Sequence, residues 1–353
     1  MKRFFLLLVL GLPALVGRAQ QAELAALLAR AQVPGMQVVY AHGRARTTYC
    51  LGVRQAGATQ PVDARTVFQA ASLGKVVLAY VALRLYDRGL LDLDQPLLRY
   101  GAYPRLAPDP RASGITARRV LAHTSGLPNW ASNPLEPGWK TSALRLTSAP
   151  DSCWSYSGEG FVLLQRALEQ VSGQPFEVLA RREVFRPLGM RRSSFVWQSR
   201  FAADASAGHD GQGQPTPPRH FAEAYGAYSL LTTAPDYSCF LQAVAAGRGL
   251  QPATARLLTT PATPADRCGH PATAADAAVA WACGVGLAAT SRGPALWHWG
   301  DNGDFKGFFM VLPASQESVL VLTNSSNGPR LVDDVLQLFF GPGTYWATQW
   351  LAE

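Results

Sequence analysis

Lysine is scarce in this chain. Of 32 basic residues only Lys2, Lys75, Lys140 and Lys306 are lysines; the rest are arginines. Arginine keeps its proton in proteins, whereas a desolvated lysine can lose one and act as a base, so base chemistry by a cationic side chain is confined to these positions. Charged residues are also few, at 16 % against 48 % hydrophobic, which excludes a disordered or fibrous class. The five cysteines (Cys50, Cys153, Cys239, Cys268 and Cys283) form no C-x-x-C pair, so a zinc site is not indicated. In an oxidising compartment Cys268 and Cys283 can pair across a short excursion, although spacing does not fix connectivity. No internal repeat is present, and low complexity is confined to the Ala/Pro-rich stretch from Pro252 to Ala278. The arginines are dispersed, as in Arg181-Arg182 and Arg191-Arg192, which describes a solvated surface rather than a nucleic-acid stripe.

What is present begins with Met1-Lys2-Arg3, a 13-residue mostly apolar run from Phe4 to Val16, and Gly17-Arg18-Ala19. That is the pattern of an export signal (1–19) cut after Ala19, and it predicts a periplasmic or extracellular protein. Cleavage removes Lys2, Arg3 and Arg18, lowering the formal net charge from +8 to +5. No cysteine stands at the cut to take a lipid, and no later stretch has the length of a membrane span.

Beyond it, Gln21–Ala31 has helical periodicity, while Met36–Tyr40 and Thr47–Val53 read as antiparallel strands around a turn at Gly43. From Ser72 to about Gln198 the signals are mainly helical, with Thr116 capping Ala117–His123 and apolar faces on Gly160–Val171 and Phe176–Phe185. Strand-length pieces return at Trp281–Ala288, Ala295–Trp299, Gly307–Leu312 and Ser318–Leu322, before a last helix near Leu331–Phe340. The expectation is an α+β fold. An antiparallel sheet from both chain ends (20–75 and 225–353), flanked by helices, carries an inserted, mainly helical domain (76–224).

Three short segments carry chemistry. Ser72-Leu73-Gly74-Lys75 opens a long apolar helix that closes near Gly89. Residues three apart share a helix face, so the Ser72 hydroxyl and the Lys75 amine can meet, and the helix N-terminus favours a developing alkoxide. A helix-capping serine followed by a solvated lysine has the same spelling. Trp154-Ser155-Tyr156-Ser157-Gly158 is a polar tyrosine turn entering a helix; a phenol beside an ammonium has its pKa lowered and can shuttle a proton. Leu296-Trp297-His298-Trp299-Gly300-Asp301 ends a late strand, where glycine permits close approach and a backbone N–H can face an oxyanion.

S-x-x-K, Tyr-Ser-x and His-x-Gly, in that order on helix start, loop and strand, resemble the serine β-lactamase and penicillin-binding protein superfamily. The similarity is to its branch of class C β-lactamases, D-alanyl-D-alanine carboxypeptidases and related esterases. Leu121-Ala122-His123-Thr124-Ser125-Gly126-Leu127-Pro128 resembles that branch's L-x-H-T-S-G-L-P segment. Val184-Phe185-Arg186-Pro187-Leu188-Gly189-Met190 and Gly226-Ala227-Tyr228-Ser229 with Thr232, Thr233 and Asp236 are similar to two more, so the likeness runs from about Glu23 to Phe340.

The resemblance implies Ser72 as acylated nucleophile, Lys75 and Tyr156 as the proton-transfer pair, His298 and Gly300 as the strand motif, and the backbone N–H groups of Ser72 and Asp301 as the oxyanion hole. His123 is implied to be structural, and no cofactor or metal is expected. Two departures stand out. Gly158 occupies the place of the group's Tyr-x-Asn asparagine, which bonds a substrate amide. His298-Trp299-Gly300 replaces the Lys-Thr-Gly of the branch's β-lactamases. Trp299, Trp154 and Phe161 suggest an apolar acyl or peptide side pocket, and bulky aromatics at these positions fit a core equally well. The expected activity is that of a serine hydrolase on esters or D-amino-acid peptides and amides. The alternatives are a β-lactamase, or a non-catalytic module that binds cell-wall peptides or β-lactams.

Overall fold

A computed structural model describes residues 12–353. Most of the apolar run read as an export signal lies in residues 1–11, outside the described residues. Leu12–Ala31 is one helix, α1, longer than the periodicity after Gln21 predicts.

The sheet grows from β-branched and aromatic runs at both chain ends. β1 (Gly35–His42) turns at Gly43, φ +58°, into β2 (Ala45–Gly52). At the other end lie β8 (Ala295–Asp301), β9 (Lys306–Leu312) and β10 (Glu317–Thr323). β1 pairs antiparallel with β10, placing Met36 opposite Thr323, and β10 with β9 and β9 with β8 follow in turn. Three short strands complete one eight-stranded sheet in the order β2-β1-β10-β9-β8-β7-β6-β5: β5 (Thr263–Pro264), β6 (Val279–Trp281) and β7 (Gly286–Ala288). The single strand expected over Trp281–Ala288 is therefore a hairpin. Its four apolar-looking turn residues hide the break, which Gly284 makes at φ +88°.

Strand alternation divides the core between the two faces. On one face Val38, Met310 and Val321 meet Leu24 and Leu27 of α1, Val335 of α8 (Val332–Phe340) and Trp350 of α9 (Trp346–Ala352). On the other, Val39, Phe309, Leu320 and Leu322 join the helices of the chain's middle. Central to these is α2 (Gly74–Asp87), buried at every residue from Gly74 to Leu83. Around it lie α3 (Ala117–Leu121), α4 (Gly158–Ser172) and α5 (Phe176–Ala180), then α6 (Ala234–Ala245) and the short α7 (Pro252–Arg256). Thr116 caps α3 as expected, accepting from the Arg119 N–H. The helix expected over Phe176–Phe185 changes pitch at Arg181, where a π turn begins. A two-stranded ribbon, β3 (Phe68–Ala71) with β4 (Leu230–Thr232), feeds straight into α2.

The disulfide joins Cys153 to Cys268, with Cα atoms 5.2 Å apart, and not Cys268 to Cys283. The chain from Asp266 to Cys268 runs parallel to Trp154, accepting from the Trp154 N–H and donating from the Cys268 N–H to the Trp154 carbonyl. Cys283 is buried in the β6–β7 turn as a free thiol.

Candidate active site

The corner between β3 and α2 sets the first side chain. Ala71 holds φ +49°, a left-handed conformation that alanine adopts only under strain, and the chain turns there to present Ser72. Gly74 is required by packing, since a Cβ would stand 2.6 Å from the Gly226 carbonyl oxygen. One turn on, Lys75 is wholly buried. Its Nζ lies 3.0 Å from Ser72 Oγ and 2.7 Å from the Ala227 carbonyl oxygen. Burial pushes the amine down from the ordinary lysine value of 10.5 to about 7. Its remaining surroundings are the rings of Tyr156, Phe161 and Trp130, with centroids 4.9, 5.7 and 5.8 Å from Nζ.

Tyr156 lies beside the pair. Burial drives its phenol well above its ordinary value, with the neighbouring Ser72 hydroxyl opposing the shift, and its buried hydroxyl completes no hydrogen bond of ordinary geometry. The lowered phenol pKa expected from an adjacent ammonium is therefore not found: desolvation outweighs it, and the ammonium is itself weakened. His123 brackets the tyrosine. Its carbonyl accepts from the Ser155 N–H at 2.8 Å, its Nδ1 accepts from the Ser157 N–H at 3.0 Å, and its ring stacks on Tyr156 at 4.4 Å. A backbone φ of +59° at His123 makes both contacts available, a signal that the sequence does not carry.

Beyond Trp297, where β7 ends its pairing, one edge of β8 is free from His298 to Asp301. His298 is buried, its Nδ1 2.7 Å from the Trp299 carbonyl, and burial pushes the imidazole down to about 3, so the strand presents a neutral ring. Gly300 has no room for a side chain because a Cβ would collide with the Ala70 carbonyl, two residues before Ser72. Asp301 ends the strand paired with Lys306 at 2.5 Å. Trp299 packs on Tyr156, with ring centroids 4.6 Å apart. Trp154 and Phe161, read as pocket walls, are core residues at 4 % and 0 % exposure.

The sequence reading missed the loop that pins Tyr156 from the other side. Asn129 accepts from the Gly158 N–H with its side chain (3.1 Å) and from the Glu159 N–H with its carbonyl (3.0 Å), while Ser157 Oγ donates to the Pro128 carbonyl (2.8 Å). Glu159 is buried and held by both Arg105 Nη atoms at 2.8 Å, by Trp139 Nε1 at 2.7 Å and by the Ala131 N–H at 3.0 Å.

A family profile described as Beta-lactamase matches residues 21–339, most of the chain. The chain belongs to the beta-lactamase family. Among curated relatives, the D-alanyl-D-alanine-carboxypeptidase/endopeptidase AmpH of Escherichia coli is 31 % identical over 174 residues, covering 46 % of this chain and 45 % of that protein. Esterase EstB of Burkholderia gladioli is 31 % identical over 215 residues, covering 54 % of each. The chain thus spans about half the length of these relatives. A D-alanine carboxypeptidase structure from Burkholderia cenocepacia superposes with a TM-score of 0.76 at 18 % identity, covering 93 % of this chain and 99 % of that one, which establishes the beta-lactamase fold.

Proposed function

We propose that this protein is an exported serine hydrolase that forms an acyl-enzyme on Ser72, with uncharged esters as the favoured substrates. The observation that carries the reading is the buried Lys75, 3.0 Å from Ser72 Oγ, whose amine burial lowers to about 7. A neutral amine has two hydrogens and one lone pair. Donating one hydrogen to the Ala227 carbonyl turns the lone pair toward the Ser72 hydroxyl. Ser72 Oγ then attacks the substrate carbonyl as its proton passes to Lys75. The oxyanion faces the backbone N–H groups of Ser72 and Asp301, the former at the N-terminal end of α2. Tyr156, kept protonated by burial, relays a proton from the Lys75 ammonium to the leaving alkoxide as the C–O bond breaks. Water afterwards cleaves the ester on Ser72.

Ester preference follows from charge. The neutral His298 offers no cation to a substrate carboxylate, and the nearby Lys306 is already paired with Asp301. β-Lactams and D-alanyl peptides carry such a carboxylate, so both are disfavoured. Export is supported by the signal-like N-terminus and by the Cys153–Cys268 disulfide.

Intact-mass spectrometry with a fluorophosphonate and a penicillin tests the acyl-enzyme. A Ser72-dependent adduct, absent in Ser72→Ala, is expected with at least the former; no adduct with either sinks the reading. Turnover of p-nitrophenyl esters, D-alanyl peptides and a chromogenic cephalosporin then ranks the substrates.

A further inference from the structure

Gly158 stands where the family's tyrosine motif usually has asparagine, and the structure shows what fills the space. A Cβ on Gly158 would sit 2.8 Å from Cε2 of Trp130 and nearer still to its Cζ2 and Cη2 atoms, far inside contact distance. Trp130 is partly exposed and is fixed from three sides. Its ring meets Trp139 edge-on at 5.8 Å and Tyr228 edge-on at 5.6 Å, with Lys75 Nζ 5.8 Å from its centroid. The backbone on either side is tied down by the Asn129 and Ala131 contacts to α4 already described. Tyr228 in turn follows Ala227, the carbonyl that holds Lys75.

We propose that Trp130 and Gly158 are a coupled exchange: the partly exposed indole, backed by the buried Tyr228, occupies the volume of the absent amide side chain and makes an aromatic acyl subsite that selects aryl-containing acyl groups. An asparagine side chain at 158 would donate to and accept from a substrate amide. An indole face does neither, and it offers a flat apolar surface to which an aryl acyl group adds favourable stacking. Loss of polar recognition and gain of apolar recognition are thus one steric event.

A double-mutant cycle over Trp130→Ala and Gly158→Asn tests the exchange without substrate. Overpacking should lower the melting midpoint of Gly158→Asn by about 5 °C, and the double variant should lose clearly less than the sum of the two singles. Additive losses overturn the exchange. If Gly158→Asn does not accumulate folded, Gly158→Ala, whose Cβ alone meets the indole, replaces it in the same cycle. The subsite rests on the acyl-enzyme reading and is read by kcat/KM for p-nitrophenyl phenylacetate relative to acetate. Trp130→Ala should lower that ratio about tenfold, the discrimination available to one apolar contact. An unchanged ratio overturns the subsite. Fluorophosphonate labelling of Ser72 is scored on every variant. A wild-type chain that neither labels nor turns over esters defeats the acyl-enzyme reading and the aryl selectivity with it, and the melting cycle then decides the steric exchange alone.

Discussion

In the proposed mechanism Lys75 concentrates the chemistry in one titration. With its amine at about 7, the fraction of enzyme holding a free base grows as pH rises through that value. The kcat/KM for a neutral ester should therefore show an acid limb falling tenfold per pH unit below about 7, measurable with a substrate that does not itself titrate. The same shift sets a stability slope. The folded amine is depressed below the unfolded value of 10.5, so between pH 7 and 10.5 the unfolded chain binds more protons and stability rises with pH. Below pH 7 both states hold the proton and the full cost applies. Lys75→Met removes the slope and, after the lost hydrogen bond to Ala227, should be about 3 kcal/mol more stable than wild type at pH 7 in chemical denaturation. A wild-type stability that shows no such rise between pH 7 and 10.5 relative to Lys75→Met would show that the amine is not depressed.

At the scale of elements, the N-terminal turn of α4 decides where Tyr156 lies. Glu159 carries four hydrogen bonds in full burial, so Glu159→Gln leaves the Arg105 guanidinium, 10 % exposed, without its counter-charge. A loss of about 3–5 kcal/mol is expected in denaturant unfolding, with kcat falling more than KM changes, because Tyr156 is displaced while the β8 edge is not. Much of this level was legible in the sequence. The aliphatic and aromatic runs of β1, β8, β9 and β10 announce themselves by their strand length and apolar pattern, Thr116 by its cap, and Ser72 with Lys75 by helical spacing. The hairpin inside Trp281–Ala288 was not, because Ala282 to Val285 is a turn spelled in apolar residues and only Gly284 marks it. Nor was the Trp130 loop, whose grip on α4 runs through backbone groups and an exposed asparagine that no spacing distinguishes. The phenol of Tyr156 was read in the wrong direction because proximity to an ammonium can be argued from sequence, whereas complete burial cannot.

Across the whole molecule, the disulfide ties the tyrosine turn to the segment leading into β6, linking residues 115 apart in sequence. Replacing both Cys153 and Cys268 with serine should lower stability by about 2–4 kcal/mol, and a matching loss should appear when the wild-type bond is reduced before denaturant unfolding. An unchanged midpoint would mean that the backbone contacts of Trp154 with Asp266 and Cys268 hold the turn alone. Cysteine pairing is a property of the folded chain, which is why spacing left Cys283 only an open candidate and the fold chose Cys153.

The strand order β2-β1-β10-β9 has a consequence in time. The hairpin made first in synthesis finds its partner only in β10, where Met36 meets Thr323. Until that strand has emerged, the early hairpin has no sheet to join, so the non-local closure of the sheet comes last. For the exported protein proposed above, a sheet that closes only on its last strands leaves the fold unfinished until the whole chain is available.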